Sequence, residues 1–201
     1  MQQPNRWNGP VVATIDLWVS VAVAFLAAVI VLILSEPEPP KQGADRPICD
    51  LAIDIEWPVE LDVDVDLWAK APNDKPVGYS SKTSKHLDLV RDDLGWANDP
   101  SGVPKQNKER VCARGTPAGE YVANIHFYHY TGAAPASVPV TLTVSSVDAS
   151  SATMTEILRR EVALHHFGEE LTVVRFNLDA EGKLIAGSVN QIPRPLRGAV
   201  Q

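Results

Sequence analysis

Three aspartates alternate with apolar residues in LDVDVDLW, where Asp62, Asp64 and Asp66 stand between Leu61, Val63, Val65 and Leu67. At a strand rise of about 3.3 Å they share one face at intervals of about 6.6 Å. A row of carboxylates is the chemistry of calcium, which takes roughly six to eight oxygen ligands. Asp54, Asp92 and Asp93 are further candidates for such a set. The competing reading is a solvated strand face whose charge resists edge pairing, and no D-x-D-x-D-G loop accompanies the aspartates. His126, His129, His165 and His166 raise the question of zinc. His126 and His129 face opposite sides of one strand, and His165 and His166 diverge likewise, so a tetrahedral site needs ligands from other strands. Phe127, Tyr128, Tyr130, Trp68 and Trp96 suit either a carbohydrate-binding surface or ordinary packing. No G-x-S-x-G, H-E-x-x-H or P-loop is present, and no Cys–His arrangement has supporting context, so an enzyme is not expected.

The elements that must position these residues fall into two classes. Near the N-terminus, seventeen of the eighteen residues from Leu17 to Leu34 are apolar, with Ser20 the exception. Asp16 stands just ahead of them, and Val11, Val12, Ala13 and Ile15 extend the run on its other side. From Val11 to Leu34 a helix is about 36 Å long, enough for a hydrocarbon core of about 30 Å. No A-x-A triplet closes the run and SEPEPPK follows it, which favours a retained anchor over a cleaved leader. Arg6 before the helix, against Glu36 and Glu38 directly after it, places the N-terminus in the cytoplasm. The resulting organisation is a cytoplasmic tail over 1–10, a transmembrane helix over 11–34, a Pro-rich linker over 35–47 and an outer domain over 48–201.

Beyond the linker the apolar period becomes two. CDLAIDIEW, LDVDVDLW, GEYVANIHFYHY, SVPVTLTVSSV and ELTVVRFNL read as strands. MTEILRREVALHHF fits helix or strand, with its position between strands and the hairpin-like spacing through FGEE favouring strand. DAEGK reads as a tight turn, and Gly119 as a turn residue entering a strand. Residues 71–110 read as a long connection in which HLDLVRDD forms a strand or a helical turn. The fold class expected is mainly β: a single N-terminal transmembrane helix followed by an antiparallel β-sandwich. A net charge of −7 speaks against nucleic acid. Cys49 and Cys112 are either a disulfide, which an oxidising compartment permits, or two buried thiols.

A carboxylate on an apolar helix has two readings. Asp16 marks the cytoplasmic end of a span that begins at Leu17, or it faces a partner and binds a proton or sodium ion. WNGPVVATIDLWVSVAVAFLAAVIVLIL, with a tail Trp, small and apolar residues before the Asp, a bulky residue after it and then Ser20 and Phe25 in a long apolar run, resembles the N-terminal helix of the MotB, ExbD and TolR family of ion-driven motor subunits. The resemblance implies that Asp16 couples ion flow. It also implies that two copies of the helix sit inside a ring of a multi-pass MotA, ExbB or TolQ-type partner in a bacterial inner membrane. The periplasmic domain would then engage an envelope target. The α/β output domains of that family are not visible in the strand-rich remainder. That remainder is similar instead to accessory β-sandwich modules at the ends of secreted bacterial peptidases, through VDVDLWAKAPNDKPVGYSSKT and the strand AGEYVANIHFY. Such modules attach or bind rather than catalyse, and apart from the calcium reading no cofactor is implied.

Overall fold

The computed structural model describes residues 9–34, 49–96, 105–148 and 150–199, with helix side chains described from Thr14 to Ile30. The chain divides into two compact units between Arg46 and Pro47. The first unit contains one helix, α1 (Gly9–Leu34), of 26 residues. Pro10 lies in its first turn, where a missing N–H has no intrahelical partner to lose. Every described side chain of α1 is exposed except Val29, which is partly buried. Among the described residues no helix is long and apolar enough to cross a membrane, so the span expected over 11–34 is not met within them. Residues 1–8 and 35–48 lie outside the described residues, and with them most of the expected tail and the Pro-rich linker.

The second unit is built from eight strands among the described residues: β1 (Leu51–Glu56), β2 (Val63–Lys70), β3 (Leu87–Arg91), β4 (Lys108–Ala113), β5 (Gly119–Tyr130), β6 (Val138–Asp148), β7 (Thr153–Leu164) and β8 (Glu170–Leu178). A five-stranded sheet runs β3-β4-β1-β6-β7 and a three-stranded sheet runs β2-β5-β8. All of the strand pairings are antiparallel. The period-two pattern makes the core: Leu51, Ile53 and Ile55 of β1 and Val138, Val140, Leu142 and Val144 of β6 are buried together with Val63, Val65 and Leu67 of β2 and Ile125 and Phe127 of β5. Both sheets therefore contribute one apolar face to a single core, as a sandwich requires. Tyr121 and Phe176 stack across β5 and β8 with centroids 5.3 Å apart.

Two expectations from the sequence are corrected. Within residues 71–110 the strand reading of HLDLVRDD holds as β3, but the connection is shorter than expected, because β4 begins at Lys108. The Lys-Glu-Arg start of β4 hides its apolar period. The spacing through FGEE does not close a hairpin, because β7 and β8 belong to different sheets. Instead Gly168, at φ +83°, donates its N–H to Phe127 O at 2.9 Å, and the Phe127 N–H reaches Glu169 O at 3.0 Å. That connection is stitched to β5 while it crosses between the sheets. MTEILRREVALHHF is strand, and the DAEGK turn closes through Gly182 N–H to Asp179 O at 3.1 Å.

The outer face of the three-stranded sheet is covered as well. Trp68 and Val122 are buried there beneath Leu196 and Tyr79. Gly78 lies against Trp68 so closely that a Cβ would fall 2.4 Å from the indole Cδ2. Gly78→Ala is expected to cost about 1–3 kcal/mol by displacing Trp68 or the turn at 78–81. Denaturant unfolding checks it, and an unchanged midpoint would mean that the turn yields freely.

Candidate cation site

β2 is an edge strand of the three-stranded sheet, with β8 at the other edge, and it carries Asp64 and Asp66 on the face opposite Val63, Val65 and Leu67. An edge strand leaves N–H groups without a ladder partner. One of them, Leu67 N–H, donates to Glu109 Oε2 at 2.7 Å. Glu109 reaches it from β4 because it shares the inward parity of Val111 and Ala113, both core residues. The connection before β2 is clamped in place: Asn107 Nδ2 donates to Pro58 O at 2.6 Å and Leu61 O at 2.8 Å, and Trp57 Nε1 donates to Val63 O at 3.1 Å. A register shift at Asp64/Val65 against β5 completes the local geometry. Such a bulge bends the edge and re-aims its side chains.

Asp64, Asp66 and Glu109 consequently meet. One carboxylate oxygen from each lies within 4.8 Å of the other two. The residues are 5%, 2% and 1% exposed, so water does little to screen them. Glu109 also accepts the Asp93 N–H at 3.3 Å, and Asp66 faces His126 Nδ1 at 2.8 Å. Asp64 Oδ1 is buried and has no hydrogen-bond partner. Burial pushes the Asp64 carboxyl up to about 8, with repulsion from Asp66, Asp92 and Asp93 adding to it. Burial likewise raises Asp66, against the lowering effect of His126. Glu109 is raised well above the usual carboxylate range, chiefly by burial and against the Leu67 N–H. Positive charge nearby is committed elsewhere: Lys82 binds Asp92 at 2.7 Å and Arg91 Nη2 lies 3.5 Å from Asp93.

The aspartate row read from the sequence is thus corrected. Asp62 precedes β2 and accepts the Trp96 N–H at 2.9 Å, holding the 93–96 segment rather than joining Asp64 and Asp66. Asp54 is held by Arg110 at 2.6 and 3.0 Å on the five-stranded sheet. Glu109 was missing from the sequence reading, and its signal was a carboxylate at core parity in KERVCA. The four histidines do not converge, since His126 is buried against Asp66 while His129, His165 and His166 are exposed. Nor do the aromatics form one surface: Phe127 is core, Trp68 lies under Tyr79, and Trp96 has Lys105 Nζ over its ring at 3.0 Å. Cys49 and Cys112 form a disulfide. Asp16 lies exposed on α1.

No protein-family model, curated protein or solved structure matches the chain.

Proposed function

We propose that the chain is a single-pass inner-membrane subunit of a proton- or sodium-driven motor of the MotA, ExbB or TolQ type. Ion flow at Asp16 is coupled to a periplasmic β-sandwich that engages an envelope target. The reading is carried by α1. Asp16 is its only ionisable residue, and every described side chain of it but Val29 is exposed. A helix that is apolar all round finds its cover in lipid or in another protein rather than in water. A carboxylate on such a helix is costly to leave unpartnered in a membrane and marks ion paths there. The Cys49–Cys112 disulfide suits an oxidising compartment for the sandwich. In this mechanism two copies of α1 stand within a ring of the multi-pass partner. Protonation neutralises Asp16 and frees the ring to move, and deprotonation on the cytoplasmic side restores the contact.

Asp16→Asn is expected to abolish ion flux and output while leaving insertion, assembly and the fold unchanged. Co-expression with a multi-pass protein of the MotA, ExbB or TolQ type, protease protection of the sandwich in spheroplasts and acidification under an imposed gradient measure these separately. A variant that conducts and works like the wild type sinks the ion-coupling role. What then stands is a second reading, a membrane-tethered binding module, which the buried carboxylates on the sandwich favour because they need no ion-coupling helix.

A further inference from the structure

We propose that Asp64, Asp66 and Glu109 bind a hard divalent cation of the calcium class, which ties the edge strand β2 onto β4. The site belongs to the sandwich and stands whether or not α1 couples ions. Three observations carry it. The first is spacing: oxygens held about 2.3–2.6 Å from one cation lie no more than about 5 Å apart, and these three lie within 4.8 Å of one another. The second is the orphan: Asp64 is 5% exposed, and its Oδ1 is buried without a hydrogen-bond partner beside two other buried carboxylates. Buried polar groups are normally satisfied, and one left bare beside like charges calls for a positive partner. The third is that the surrounding groups do not supply one. Lys82 is spent on Asp92 and Arg91 on Asp93. His126 serves Asp66 at 2.8 Å.

The donor set selects the cation. Oxygen ligands with no thiolate favour calcium or magnesium over zinc. Magnesium demands near-ideal octahedral geometry and gives up its water reluctantly, so three carboxylates brought together from two sheets suit the more flexible calcium sphere better. Asp64, Asp66 and Glu109 supply one oxygen each, and water completes the shell. Binding ties two strands of different sheets through one ion, so it stabilises the folded domain and is linked to its melting temperature.

The test uses the full chain in detergent, stripped with chelator and titrated with calcium, magnesium or zinc chloride. Calcium is expected to raise the melting temperature saturably below about 1 mM, the weak end for extracellular modules, with one site by calorimetry and a smaller response to magnesium. Asp64→Asn and Glu109→Gln, each checked for a wild-type circular dichroism spectrum, are expected to lose the calcium response. If one variant fails to fold, the other and the wild-type calorimetry still decide. No calcium-dependent shift and no binding heat in the wild type overturns the proposal and leaves the three carboxyls sharing protons. A response that survives in a folded Asp64→Asn or Glu109→Gln protein overturns the assignment of these residues.

Discussion

Stripped of divalent cations, the chain is expected to melt at lower temperature as the pH rises from about 5 to about 9. Asp64 sets the direction: its carboxyl, ordinarily near 3.8, titrates at about 8 in the fold. The folded state therefore holds that proton more tightly than the unfolded chain. The resulting stability is complete below about pH 4 and is lost as the pH climbs through about 8. Asp66 and Glu109 are displaced in the same direction by burial. The groups around them are Asp92, Asp93, Lys82, Arg91, His126 and Arg197. Asp74 and Asp148 are lowered, by their hydrogen bonds to Ser84 and Ser150 among others, and lose stability only at acid pH, outside this window. A tenfold change in proton affinity corresponds to about 1.4 kcal/mol, and after relaxation and water penetration around the ionised carboxylate about 3 kcal/mol of the Asp64 effect remains. For a domain of this size that is a fall of about 6–12 °C. Melting curves of wild type and Asp64→Asn across the range measure it. The amide should flatten the slope, whereas a wild-type melting temperature that holds steady or rises would show that burial does not govern these acids.

Removing the Cys49–Cys112 bridge is the second large effect. Cys112 lies in β4 opposite Ala52 of β1, and Cys49 lies just before β1, so the bond fastens the domain's first strand to its neighbour. The Asp50 N–H to Ala113 O bond at 2.8 Å continues that attachment. At a sequence separation of 63, the loop-closure entropy removed from the unfolded chain is worth about 4 kcal/mol, or about 8–16 °C in melting temperature. Cys49→Ala, Cys112→Ala and the double variant should fall together, because one bond is lost in each case. Reductant should lower the wild type alone. A melting temperature indifferent to reductant would show that the hydrogen bonds of β1 and β4 hold this edge without the bridge.

Much of the sandwich was legible because its strands repeat with period two and are broken by turns. Leu61 to Leu67, Val138 to Val144 and Leu171 to Leu178 announce themselves by alternation, and the DAEGK turn by its glycine. β4 did not, because Lys108, Glu109 and Arg110 look like loop chemistry until β1 and β3 pair on either side of them. The cation site was half visible for the same reason. Alternation puts Asp64 and Asp66 on one face, but it says nothing about which segment folds over that face. The register shift at Asp64/Val65 and the inward parity of Glu109 bring the third carboxylate across from the other sheet. Local pattern thus determined the strands and the aspartate pair, because side-chain periodicity is written residue by residue. The partner acid, the burial that displaces its neighbours and the pairing of the cysteines were decided by the tertiary structure, because each depends on which strands lie side by side, and nearest-neighbour sequence does not encode that.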